Sequence, residues 1–324
     1  MQTTDATADR YPHVMALVRD QPWAILPAKL AAITDLLRFR AEGGRLTAEQ
    51  IAERIGAAAG DRPQQRTSGA VAVIPVYGTI VQRADMFTEM SGGTSTERLS
   101  AAIAQAVGDP SIGSIVLAID SPGGGVYGVA ELADQILKAR GQKTIVAVAD
   151  SLAASAAYWI GSAASEFAVT PGGEVGSIGV FGAHQDMSRL YDTAGVTTTL
   201  ISAGKYKVEG NPFEPLTEEA RAAMQARVND YYSLFTKAVA KGRGVSVSAV
   251  QSGFGEGRVV GAQEAVKLGM ADSVETLQQV ISRLSGRGAR GSGQRADDDA
   301  PELVAAAAGG LSDDSRRRRA RYWR

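Results

Sequence analysis

No cysteine occurs among the 324 residues, which excludes disulfides, thiolate metal sites and a cysteine nucleophile. The two histidines, His13 and His184, stand far apart and leave little material for a metal cluster or a histidine-based triad. No run approaches the roughly 20 apolar residues that span a bilayer. The N-terminus has no basic region followed by an apolar block, so neither a membrane anchor nor a signal peptide is expected. With 34 basic and 35 acidic residues the formal charge is −1, so a whole-surface attraction to nucleic acid or anionic lipid is not expected either. These deficits predict a soluble, intracellular protein that needs no cofactor or metal.

What is present organises into three parts: an N-terminal helical extension with linker (1–68), a main domain (69–285) and a charged tail (286–324). In the extension, Leu30, Ile33, Leu36 and Leu37 recur at helical spacing until Gly43-Gly44. Thr47-Ala-Glu-Gln50 reads as a capping box opening a second short helix with Ile51 and Ile55 on one face. The polar stretch 60–68 reads as a linker. From residue 70, short β-rich runs (Val71–Val76, Ile115–Ile119, Thr144–Val148) alternate with helix-length segments (96–107, 128–140, 153–163). That alternation predicts an α/β fold with a mostly parallel sheet and catalytic groups at the carboxyl ends of strands. Val196–Ile201 reads as a further strand, 217–241 as a long helix, and 261–268 with 274–284 as a closing pair. After Ser285 glycine, serine, aspartate and arginine dominate, a composition that predicts disorder.

Two glycine-rich or small-residue turns carry the chemistry. Gly123-Gly-Gly-Val-Tyr-Gly128 follows a strand and opens a helix, with Asp150 closing the next strand, as a dinucleotide-binding fingerprint would. Its entry through Asp120-Ser-Pro122 argues instead for bare backbone amides that converge on an oxyanion. Ser155, framed by Ala153, Ala154, Ala156 and Ala157 at the next strand-to-helix turn, is the candidate nucleophile; its plain alternative is a helix cap in a small-residue packing stripe. Lys207 is the candidate base, since histidine is scarce, and a lysine serves as a base only when burial keeps its amine neutral. The plain alternative is a solvated surface lysine. Ser177 could hold that lysine by a hydrogen bond or be an ordinary strand serine.

Asp120-Ser-Pro-Gly-Gly124, Ala153-Ala-Ser-Ala-Ala-Tyr-Trp159, Gly176-Ser-Ile-Gly-Val180, Gly204-Lys-Tyr-Lys207 and Gly257-Arg-Val-Val-Gly261 with Ala265–Asp272 occur in the order seen in the signal peptide peptidase A family, which the chain resembles over about residues 70–280. The resemblance implies a Clp-protease/crotonase fold of repeated ββα units and a serine endopeptidase with Ser155 as nucleophile, Lys207 as base and Ser177 positioning it. Backbone amides near Gly123, Gly124 and Ala156 would form the oxyanion hole. It also implies a homo-oligomeric ring in which serine and lysine can come from neighbouring subunits.

The chain departs from the family in lacking an anchor and in placing Ala156-Ala157 where glycines are frequent. With a helical preface and a charged tail it is more similar to the head-maturation proteases of tailed phages and prophages, which implies scaffold or capsid proteins as partners and the host cytoplasm or procapsid interior as location. The alternatives are a cytoplasmic protease of bacterial peptides, a Clp-type triad using His184, a crotonase-like enzyme that would need its own carboxylate pair, and a catalytically silent capsid scaffold. Ala305–Ala308 is a candidate self-processing site, and Arg316–Arg319 could dock on scaffold, portal or DNA.

Overall fold

The computed structural model describes residues 21–41, 65–83 and 93–291, together with Gly44, Thr47 and Gln50. The elements run β1 (Trp23–Ile25), α1 (Pro27–Ala41), β2 (Arg66–Ser68), β3 (Val71–Tyr77), β4 (Ile80–Val81), β5 (Thr94–Ser95), α2 (Thr96–Gly108), β6 (Ser114–Ser121), β7 (Gly123–Gly125) and α3 (Val129–Ala139). They continue through β8 (Thr144–Ala154), α4 (Ala156–Ser162), β9 (Glu166–Val169), β10 (Glu174–Gly176), α5 (Ser188–Thr193), α6 (Glu218–Arg243), α7 (Val247–Gly253), β11 (Val259–Gly261), α8 (Ala262–Lys267), β12 (Ser273–Val274) and α9 (Leu277–Gly291).

The expected α/β architecture forms. The larger sheet has the order β11-β10-β8-β6-β3-β2, with β9 added beside β8 and β12 beside β9. Its central pairs, β3–β6, β6–β8 and β8–β10, are parallel. Parallel strands are buried on both faces, which is why Ile115–Ile119 and Ile145–Ala149 read as unbroken apolar runs. One face, with Leu117, Ile119, Ala147 and Ala149, packs under α2, α3, α4 and α6. The other, with Val116, Ala118, Val146 and Val148, is covered by Val280, Ile281 and Leu284 of α9.

α2 and α6 start on side-chain caps: Ser95 accepts from the Arg98 N–H and Thr217 from the Ala220 N–H. Thr47 and Gln50 exchange the reciprocal bonds of a capping box (2.9 and 3.3 Å). Ile51 and Ile55 lie outside the described residues, as do 1–20 and 292–324 with the two candidate tail sites.

Three expectations change. The extension is not a separate preface: Trp23, Ala24 and Ile25 form a fully buried strand of a second, four-stranded sheet (β1-β7-β4-β5), and Leu30, Ile33, Leu36 and Leu37 are buried in α1. The end of the linker, Arg66–Ser68, is the antiparallel edge strand β2. Val196–Ile201 is not a strand; it runs exposed without regular structure, because among the described residues no strand pairs with it to take up its backbone groups.

Candidate active site

The site is built where β8 ends. β8 outlasts its expected end at Val148 and runs to Ala154, because beyond Ala149 it leaves β9 and takes β10 as a parallel partner, with Ala153 opposite Val175 and Ala154 opposite Gly176. Ser155 follows at φ 57°, ψ −117°, a region that side chains rarely tolerate, and α4 begins at Ala156. Such a strained strand-to-helix turn persists only when its surroundings fix it. Here the Ser155 N–H donates to the Gly176 carbonyl (2.7 Å) and the Trp159 N–H to the Ser155 carbonyl (2.9 Å).

Ser155 sits at the N-cap position but makes no capping bond; its hydroxyl has only the Gly179 carbonyl, at 3.4 Å. That removes capping as the reason for a serine here. The flanking alanines are packing residues: Ala153, Ala156 and Ala157 are buried in the core and let α4 pack closely between β8 and α6.

The turn is braced from below. Trp159 stacks on Phe235 of α6 (4.6 Å, 7°), and the Tyr158 hydroxyl donates to the Met270 carbonyl (2.9 Å). Burial pushes the Tyr158 phenol far above its ordinary range, so it stays a neutral donor. Beside it Arg243, 7 % exposed, holds Asp272 through two bonds (2.8 and 2.9 Å), and Asp272 also accepts from the Phe167 N–H (2.8 Å). Sequence offers Asp272 only as the end of the last motif and Arg243 not at all, since an Arg and an Asp 29 positions apart carry no local pattern.

The glycine turn lies against Ser155. A β-carbon placed on Gly123 would stand 3.0 Å from Cβ of Ser155 and 2.2 Å from the Ala24 carbonyl oxygen, so only glycine fits, and its φ of 97° requires the same. The Gly123 N–H is already engaged by Ser121 Oγ (3.2 Å), whose hydroxyl donates to the Gly78 carbonyl (2.6 Å). Of the three amides expected at an oxyanion hole, Gly123 is therefore occupied within its own turn. The Ala156 N–H, buried at the start of α4, has no hydrogen-bond partner among the described residues. Ser121 is a residue the sequence reading passed over as part of a rigid turn.

Ser177 ends β10 as Ser155 ends β8. It too has positive φ (52°), its N–H donates to the Arg258 carbonyl (2.7 Å), and it is 6 % exposed. Its hydroxyl has no partner among the described residues. Two parallel neighbours thus finish on strained serines joined through the Gly176 carbonyl.

Lys207 is placed elsewhere. It lies on an exposed turn over 203–210, and no hydrogen bond or ion pair links it to Ser155 or Ser177. Its neighbour Lys205 is the one engaged, with Glu219 (3.0 Å) and the Tyr206 hydroxyl (2.7 Å). The single chain does not supply the burial that a neutral lysine needs.

The alternatives find less support. His184 is half-buried in a groove with Phe181, Leu216 and Met224, its Nε2 bonded to the Asn211 carbonyl (3.0 Å) rather than to Ser155. A carboxylate pair does exist: burial pushes Asp120 and Asp150 above the ordinary range, and Asp120 adds to the rise at Asp150. Yet these residues alternate with Ala118 and Val148 on the α9 face, whereas Ser121 lies with Ile119 on the opposite face. The pair is not assembled with the glycine amides. Among the described residues no group of three or more histidines and carboxylates is placed to hold a metal, and no helix is long and apolar enough to cross a membrane.

Comparison with known proteins gives the family. The chain is 32% identical over 306 residues to capsid assembly protease C of Escherichia phage lambda, covering 88% of this chain and 68% of that protein. It is 37% identical over 227 residues to the head-tail preconnector protein GP5 of Enterobacteria phage P21, covering 69% of this chain but 45% of that protein. Among solved structures it is similar to a ClpP1 mutant from Listeria monocytogenes, at 15% identity and a TM-score of 0.41, covering 64% of this chain and 94% of that one. The family model of peptidase family S49 matches residues 116–289, a span that holds the glycine turn, both strained serines and the network beneath them, and the chain belongs to that family of serine peptidases.

Proposed function

We propose that the protein is a serine endopeptidase in which Ser155 is the nucleophile and Lys207 the base, acting on scaffold or capsid proteins during procapsid maturation. The observation that carries the reading is the backbone of Ser155. A strained turn that presents a hydroxyl without a capping role, next to a glycine turn and an unpartnered buried amide, suits acyl transfer. Neutral Lys207 takes the Ser155 proton as the oxygen attacks the scissile carbonyl. The Gly124 and Ala156 amides hold the oxyanion, the amine leaves with the proton, and water releases the acyl-enzyme. The unpartnered Ser177 hydroxyl is available to hold the lysine amine. The substrate class rests on the likeness to the phage proteins, whose names speak of capsid assembly and of a head-tail preconnector.

The exposed position of Lys207 favours a dyad completed between subunits of a homo-oligomeric ring. Its approach is apolar and open to solvent: Val196, Leu200 and Tyr206 are exposed, and Ile201 is 96% exposed. Side chains of that kind in one continuous segment fit an interface. The experiment co-expresses the enzyme with a phage scaffold or capsid protein as substrate. Ser155→Ala and Lys207→Ala should each lower processing by at least about 10³-fold, while verified mixed rings of the two variants regain part of it. Full processing by Ser155→Ala would refute the nucleophile, and mixed rings without recovery would put the dyad within one chain.

A further inference from the structure

β1 occupies the place that an extended substrate needs. Trp23–Ile25 runs antiparallel to the glycine strand, with Trp23 opposite Gly125, Ala24 opposite Gly124 and Ile25 opposite Gly123. On its other side the Trp23 N–H donates to the Phe181 carbonyl (2.8 Å) and the Phe181 N–H to the Trp23 carbonyl (3.0 Å). Since successive residues of a strand turn their polar groups to opposite sides, those of Ala24 face Gly124. The Leu26 N–H continues the same side by donating to the Pro122 carbonyl (3.0 Å). The amide assigned above to the oxyanion is therefore already met by a peptide carbonyl of the chain itself. That carbonyl oxygen is 2.2 Å, and Ser155 Cβ 3.0 Å, from one point, the β-carbon position of Gly123, so the two can be no farther apart than those distances together. Trp23, Ala24 and Ile25 are at most 2 % exposed, and Ser155 is 1 % exposed beneath them.

We propose that Trp23–Ile25 is an internal plug: it holds the slot between the glycine strand and Phe181 as a peptide substrate would, and the enzyme is latent until this strand leaves. The inference rests on the peptidase reading and adds a regulation to it. An incoming chain takes the same slot by strand addition, with main-chain bonds giving affinity and a small residue opposite Gly124, where Ala24 now sits with no exposed surface. Affinity for substrate is lowered by the fraction of molecules whose slot is filled. The N-terminal segment is then a timing device, since anything that draws it out of the slot switches the enzyme on.

The absence of cysteine makes the test clean, because a single engineered pair has no competitor. Trp23→Cys with Gly125→Cys joins directly opposed residues of an antiparallel pair, at a separation that suits a disulfide. Ala24→Asp puts a carboxylate into a closed slot and expels the strand. Two readouts on the full-length protein separate the two ideas. Labelling of Ser155 by a fluorophosphonate should be about tenfold or more faster in Ala24→Asp than in the parent, absent in the oxidised staple and restored by reductant. Binding of a fluorescein-labelled Gln-Pro-Trp-Ala-Ile-Leu-Pro peptide, measured by anisotropy in a Ser155→Ala background, reports the slot without chemistry: reduced protein and Ala24→Asp bind it and the oxidised staple does not. Peptide binding that follows this order while no form reacts with the fluorophosphonate would sustain the plug and sink the nucleophile. An oxidised staple that labels and binds as fast as its reduced form overturns the plug, whatever becomes of Ala24→Asp.

Discussion

The turn at Ser155 and the segment from Val196 to Lys207 carry the two halves of one proposed reaction, and they are made in opposite ways. Around Ser155 the neighbours are fixed: a parallel strand on each side, a stacked Trp159–Phe235 pair, and an Arg243–Asp272 bridge behind Tyr158. Around Lys207 the backbone makes turns and no sheet bonds, and apolar side chains face water. A strained backbone costs free energy and needs a dense core to hold it. A base contributed across an interface needs the reverse, a segment that one chain leaves unsatisfied and a second chain completes. The difference suggests that folding builds the nucleophile and assembly adds the base.

The strongest challenge to this contrast is Arg243→Met. It takes the cation from Asp272, whose side chain is 30 % exposed, and the donor from the Gly269 carbonyl, a loss of about 1–3 kcal/mol. Chemical denaturation should show that loss, with fluorophosphonate labelling of Ser155 falling in step as the turn relaxes. An unchanged midpoint would mean that the bridge does not brace the turn. Ile201→Asp probes the other region. Folding stability of the isolated chain should stay within about 0.5 kcal/mol, while the oligomer seen by sedimentation dissociates and processing falls about tenfold or more. Retention of both the assembly and the activity would show that the exposed segment is not an interface.

Asp150→Asn gives the smallest effect and tests the face away from the site. Burial, then the neighbouring Asp120, raises the Asp150 carboxyl above its usual value in the folded state. The charged form therefore weighs against folding at pH values above that raised pKa, and the penalty fades as pH falls below the ordinary 3.8. The variant should melt slightly higher than the parent at neutral pH and equally at about pH 3. A gap that widens on acidification would reverse the sign and place a stabilising partner on Asp150.

Much of the nucleophile's setting was legible in sequence. The unbroken apolar runs of β6 and β8, the capping box at Thr47 and the small residues around Ser155 are local features with local causes. Val196–Ile201 misled for the same reason: Val-Thr-Thr-Thr-Leu-Ile has the composition of a strand, but a strand exists only with a neighbour to bond, and none is found for it among the described residues. Neither the long-range bridge of Arg243 with Asp272 nor the hydroxyl of Ser121 inside its turn leaves any spacing signal.

The sequence by itself determined which residues could do chemistry, because a cysteine-free, histidine-poor chain leaves serine and lysine as the nucleophile and base its motifs offer. It also determined the alternation that makes a parallel sheet. Only the tertiary structure decided that Ser155 would carry a strained backbone, that Gly123 would spend its amide on Ser121, and that Trp23–Ile25 would lie along the glycine strand. These are pairings between residues far apart in the chain. They are set by which buried backbone groups find partners when the whole core closes, and no local period records that outcome.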